Sequence, residues 1–188
     1  MLVFLDTEFT NFHQPQLLSL GMVSLAGDEC YAELDIEALE GRLALVGASE
    51  FVRSPEVLGQ WGKVAGAACS AWEMGDRAGH WLAGQADLHE ASGAAHQLEI
   101  CGDYAADFEL LEWVLREASF WDRLRHRIRF HDISRMLNRA LPDIAAQDCF
   151  KQLDRERGIR QHHALADALA VRAGFLAVRE LEAKKGRR

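Results

Sequence analysis

The sequence predicts an α/β protein, a mixed sheet covered by helices, and three observations carry that expectation. The first 35 residues read as consecutive strands. Beyond a weakly patterned middle, short apolar runs alternate with segments of helical periodicity, and the chain closes on a long amphipathic helix. With 188 residues, 49% of them hydrophobic, there is material for one domain with a sizeable core and little room for a second.

The opening VFLDTEFT places an apolar half-strand before two carboxylates, Asp6 and Glu8, separated by one residue. Alternate strand residues share a face, so these two carboxylates converge. LLSLGMVSLAGDECYAELD follows, two β-favouring runs around Ala26-Gly27-Asp28-Glu29, which reads as a hairpin turn and makes residues 1 to 35 three mostly antiparallel strands. From about Ile36 to His96 the pattern weakens. Ser54-Pro55-Glu56 and Ser70-Ala71-Trp72-Glu73 mark two helix starts there, the first by Ser as N-cap and Pro at the first helical position, the second by capping-box spacing. This middle reads as a helical crossover packed on the sheet, with Trp61, Trp72 and Trp81 supplying aromatic surface.

Leu98 to Cys101 is a short apolar strand, followed by a Gly-Asp turn and a helix in which Phe108, Leu111 and Leu115 recur at helical steps. Asp107 stands where that helix begins. Another strand is expected at Ile128 to Ile133, then helical SRMLNRAL, a break at Pro142 and a further helical piece around DIAAQDCFKQL. From about Ala164 to Ala183, Ala164, Ala168, Val171, Phe175 and Val178 form one stripe of an amphipathic helix introduced by Gln161-His162-His163.

Composition narrows the function classes. The apolar runs fall short of the roughly 20 residues that cross a bilayer, and no basic start precedes an apolar stretch with a small-residue cleavage site, so a cytoplasmic protein without membrane contact is expected. Cys30, Cys69, Cys101 and Cys149 are far apart, with no CxxC pair, and read as free thiols. A net charge of −8 and a pI near 5.5 have the wrong sign for wrapping long nucleic acid, so any such contact must be local.

Three features carry potential chemistry: Asp6 with Glu8, Asp107, and His162 with Asp167. Each has an ordinary explanation. A DxE triplet is common in a chain with 29 acidic residues, Asp107 suits a helix's first turn, and HHALAD suits a solvated helix start. Their joint placement is less ordinary: carboxylates ending the first strand, an acid opening a central helix, and an HxxxxD pair opening the last one.

In this combination the chain resembles the DEDDh 3′-to-5′ exonucleases of the RNase H-like fold. The matching motifs are Asp6-Thr7-Glu8 followed by Phe9 and Thr10, DYAADFELL with Asp107, and His162 through Asp167 with four residues between. DTEF, GDY and HHALAD together look most like the small bacterial exoribonuclease-like branch. The likeness runs from end to end, although residues 36 to 96 hold no motif to match. Where the family often has Asn-Ala-x-Phe before its second acid, this chain has Asp103-Tyr104-Ala105-Ala106. Asp107 is preferred as the ligand for the apolar helix that follows it, with Asp103 the runner-up. His163 rivals His162, but only His162 has the family spacing.

The resemblance implies an RNase H-like mixed sheet flanked by helices and hydrolysis of phosphodiester bonds at single-stranded 3′ ends, RNA favoured over DNA. Four gathered carboxylates repel one another unless cations neutralise them, and hard oxygen ligands suit Mg²⁺ or Mn²⁺. By analogy with the family, Asp6 bridges two ions, Glu8 and Asp167 complete one site and Asp107 holds the other. His162 is the general base, Phe9 lies against the terminal base, and the Thr10 region meets the terminal sugar. A homodimer is also implied. A DNA exonuclease of proofreading or repair type, and a catalytically silent RNase H-like module that binds nucleic acid or protein, are the alternatives. The terminal KKGRR reads as a solvated tail, and His80, His89 and His96 match no ligand spacing.

Overall fold

A computed structural model describes residues 1–93 and 97–186. His96 and the last two residues of KKGRR lie outside the described residues. The fold is α/β with one mixed six-stranded sheet flanked by helices, as the sequence predicts, and is consistent with the RNase H-like arrangement that the resemblance implies. Strands β1 (Leu2–Phe9), β2 (Leu17–Ser24) and β3 (Glu29–Leu34) form the antiparallel opening. Gly27, at φ +108°, makes the β2–β3 turn, in a backbone region that suits glycine. β5 (Leu98–Gly102) pairs parallel to β1, and β6 (Ile128–Asp132) pairs parallel to β5.

The middle segment contributes α1 (Leu39–Val46), α2 (Pro55–Leu58), β4 (Ala68–Cys69) and α3 (Ala71–Ala91). β4 was not foreseen. It is two residues long and joins the sheet only by parallel pairing with β3, which gives no periodicity to read; the strand order is β4-β3-β2-β1-β5-β6. The Ser70–Glu73 capping box forms in full. Ser54 caps nothing with its side chain, and the helix after it is a single turn. Trp61 and Trp81 pack against the core, whereas Trp72 is largely exposed.

Helix α4 (Ala105–Glu117) carries Asp107 in its first turn and is followed by the short α5 (Trp121–Leu124). Past β6 come α6 (Ser134–Leu137), α7 (Ala140–Arg157) and α8 (Ala164–Lys185). Pro142 does not break the chain. It sits in the first turn of α7, where backbone N–H groups have no intrahelical acceptor and proline costs little, and the interruption falls at Asn138 and Arg139. Helices α3 and α4 pack on one face of the sheet and α8 on the other. Odd residues of β1, Val3 and Leu5, belong to the first core, and Phe4 belongs to the second, where it meets Phe175 of α8 at 5.1 Å. The cysteines are free thiols, three of them buried. Among the described residues no helix is long and apolar enough to cross a membrane.

Candidate metal centre

Strand alternation sorts the carboxylates. Phe4 faces α8, so Asp6 and Glu8 project to that side while Thr7 faces α4. The Thr7 hydroxyl donates to Asp107 Oδ1 at 2.6 Å, holding a side chain only 2% exposed. The β1–β2 register shifts between Glu8 and Phe9, and such an irregularity re-aims the side chains at a strand's end.

Helix α8 reaches this strand end because β2 carries glycine opposite Asp6. A Cβ at position 21 would run into the Ala164 carbonyl and the Leu165 nitrogen. Glycine therefore permits a backbone-to-backbone approach that brings the first turn of α8, with Asp167, over β1. His162 precedes the helix at φ +66°, a conformation that costs a histidine roughly 1–2 kcal/mol. Its backbone N–H donates to Asp167 Oδ2 at 2.8 Å, which offsets part of that cost and ties the loop to the carboxylate.

Two groups of ligand-type atoms result, each with all its atoms within 4.8 Å of one another: Asp6, Asp103 and Asp107, and Glu8, His162 and Asp167. Every residue that the sequence marked as a ligand or base is brought together. Asp103, the runner-up to Asp107, stands beside it rather than in its place. His163 is drawn away: it is buried, stacks on Tyr31 at 4.4 Å, and neither ring nitrogen has a hydrogen-bond partner among the described residues.

No lysine or arginine forms an ion pair with these carboxylates among the described residues. Their acidity shows the consequence. Burial first, then the charges of Asp167, Asp107, Glu8 and Asp103, hold the Asp6 carboxyl well above the usual range. Burial followed by the Asp107 charge pushes Glu8 up to about 7. Burial also takes Asp107 to about 7 against the opposing Thr7 hydrogen bond, and burial with the Glu8 charge raises Asp167. Burial lowers the His162 imidazole below its ordinary value, which favours the neutral ring. A site that penalises its own ionisation this strongly suits a divalent cation, and its oxygen-rich donors suit Mg²⁺ or Mn²⁺.

Beside the acids opens a cleft of about 210 Å³, bounded by Asp6, Asp103, Leu137, Pro142, Phe150 and Asp167. A larger groove of about 610 Å³ lies between Leu43 of α1 and Trp113 of α4, but none of the clustered acids lines it. The smaller cleft is the one with chemistry at its wall.

Aromatic groups border the same strand end. Phe9 stacks with Tyr104 at 6.1 Å and meets Phe12 edge-on at 5.4 Å; Phe12 is 75% exposed and Tyr104 46%. Thr10 is buried, its hydroxyl accepting from the Gln16 N–H at 3.1 Å inside the loop, and the exposed aromatic side chain of this loop is Phe12. Phe51, from the segment after α1, lies edge-on to His162 at 5.0 Å. Sequence reading missed Phe12, Tyr104 and Phe51. Tyr104 adjoins Asp103 and was within reach, whereas nothing local marks Phe51 as a neighbour of a residue 111 positions away.

No protein-family model matches the chain, and no curated protein matches it either.

Proposed function

We propose that the protein is a metal-dependent 3′-to-5′ exonuclease acting on single-stranded ends, RNA favoured over DNA. The observation that carries this reading is the gathering of five carboxylates from β1, the β5–α4 junction and α8, with His162 among them and no lysine or arginine ion-paired to them among the described residues. The direction of attack and the preference for RNA rest on the resemblance to the DEDDh exonucleases.

Asp6, Asp103 and Asp107 would hold one cation, and Glu8 with Asp167 the other. Bound divalent cations supply Lewis-acid polarisation of the phosphodiester and an acidified water. The chain's own part is to place His162, neutral above its lowered pKa, to take the proton of the attacking water. Phe51 restrains that ring from one side, and the aromatic group of Phe9, Phe12 and Tyr104 offers a stacking surface for bases, which tolerates any sequence.

A strand labelled at its 5′ end, RNA or DNA, incubated with Mg²⁺, Mn²⁺ or EDTA tests the reading. A 3′-shortening ladder abolished by EDTA is expected, faster on RNA. A faster ladder on DNA moves the substrate to DNA, and no degradation under any condition sinks the enzyme. Two further results are expected on the same substrates. Phe12→Ala with Tyr104→Ala should raise KM about 10- to 100-fold, in keeping with about 1–3 kcal/mol for each stacked base, and leave kcat within about threefold. Phe51→Ala should lower kcat about tenfold with little change in KM, because it touches the base rather than the binding surface; a change confined to KM would contradict that role.

A further inference from the structure

Charge is spread unevenly along this acidic chain. Between residues 121 and 139 stand six arginines against two carboxylates, Asp122 and Asp132, a surplus of four positive charges in a protein of net charge −8. This stretch comprises α5, β6 and α6, the outer margin of the sheet. Arg127 is engaged by Asp87 at 2.6 Å and Glu90 at 2.8 Å, and Arg125 lies 3.6 Å from Asp122. Arg123, Arg129, Arg135 and Arg139 are exposed and have no ion-pair partner among the described residues.

Position gives this surplus a direction. Gly102 pairs with Asp132, so α6 and Arg139 continue beyond the same end of the sheet from which Asp103 emerges. Leu137 and Pro142, flanking Arg139 in sequence, line the cleft that contains Asp6 and Asp167. Within β6, Ile128 belongs to the core under α3 and α4 and Phe130 stacks on Phe108 of α4 at 4.8 Å. Strand alternation then turns Arg129 to the opposite face, the face of Asp6. Helix α8 packs on that face over β1, β2 and β3, so the arginine stands beyond the helix, on the margin it leaves open.

We propose that this arginine margin is a track for the single strand behind the reacting terminus. Arg139 and Arg135 take the phosphates nearest the cleft, and Arg129 takes one further along the edge. The partner is then a nucleic-acid single strand of several nucleotides, not a mono- or dinucleotide. Guanidinium groups are suited to phosphate oxygens, and such contacts position a strand without reading its sequence. Three of them correspond to a slope of log K against log salt of about −2 for a single strand, a local contact that an acidic protein can sustain.

The location of the 3′ end rests on the nuclease reading, but the track is tested by binding alone. Fluorescence anisotropy in Ca²⁺ would compare a labelled 12-nucleotide RNA with a labelled dinucleotide, using wild type, Arg129→Ala/Arg135→Ala/Arg139→Ala, the corresponding triple lysine variant, and Arg155→Ala on α7 as a control. The expected result is at least tenfold weaker binding of the 12-mer by the triple alanine variant, a salt slope shallower by about 2, dinucleotide binding within twofold, and recovery in the lysine variant. Binding of the 12-mer within twofold of wild type by the alanine variant, an equal loss for both ligands, an equal loss in Arg155→Ala, or a wild type with no affinity for the 12-mer overturns the track. If the track result holds while Mg²⁺ and Mn²⁺ give no shortening, the nuclease reading alone fails. If the wild type shortens the strand while the alanine variant binds it unchanged, the track alone fails.

Discussion

Asp6→Asn is expected to lower turnover about a thousandfold or more, some 4 kcal/mol of activation free energy, while making the cation-free protein more stable. The two effects have one origin. Asp6 feels the charges of Asp167, Asp107, Glu8 and Asp103 together, so it is the carboxylate whose loss relieves most repulsion and removes the ligand nearest the middle of the cluster. A gain of about 1–2 kcal/mol, or roughly 2–8 °C in Tm for a domain of this size, is in the range seen when a functional site is relieved of strain. Thermal unfolding in EDTA beside turnover in Mn²⁺ checks both; a variant less stable than wild type in EDTA would show that the acids are not in repulsive contact.

The same electrostatics gives the wild type a pH signature. Glu8 and Asp107 hold their protons to about pH 7 in the folded chain and release them near 4 to 4.5 when unfolded. Between those values the folded state binds more protons than the unfolded one, so stability falls as pH rises. In EDTA the contribution of these groups is fully present below about pH 4 and is lost as pH passes 7. Urea midpoints at pH 5.5 and 8 should therefore differ in favour of the lower pH, and saturating Mn²⁺ should remove most of the difference.

Gly21→Ala is the second large effect. The added methyl meets backbone atoms of α8, which cannot yield as a flexible side chain would. Nor can the helix shift freely, because Leu165, Ala166 and Ala168 are buried within the two small cores on that face. The expected cost is about 3 kcal/mol of stability, at the upper end for overpacking. The helix start carrying Asp167 and His162 must also move, and a displacement of about 1 Å in a reacting group is worth about a hundredfold in rate. Denaturation and kinetics on the folded fraction separate the two losses. Turnover within fivefold of wild type would show that the close approach of β2 and α8 does not position the site.

Much of this arrangement is legible in the sequence because strand and helix periodicities are local. The two-residue alternation in VFLDTEFT already puts Asp6 and Glu8 on one face, the Gly-Asp turn sets the antiparallel opening, and the stripe from Ala164 to Val178 sets the last helix. What brings those pieces together is long-range and left weaker traces. Gly21 lies in a fully buried strand, where nothing in its neighbours distinguishes a glycine needed for helix approach from one that merely fits. The two-residue strand β4 and the position of Pro142 inside α7 depend on pairing and on helix-end geometry rather than on composition. Phe51 meets His162 only through the fold.

Calorimetric titration of Mn²⁺ into the protein at pH 7.5, in buffers of different ionisation enthalpy, tests most directly whether the acidic cluster is a cation centre. Glu8 and Asp107, held near pH 7, and Asp6, held well above the usual carboxylate range, must be deprotonated to bind a metal, so saturable binding with proton release is expected, weakened at least tenfold in Asp6→Asn. An isotherm that does not saturate for the wild type, or one that Asp6→Asn leaves unchanged, would contradict the account.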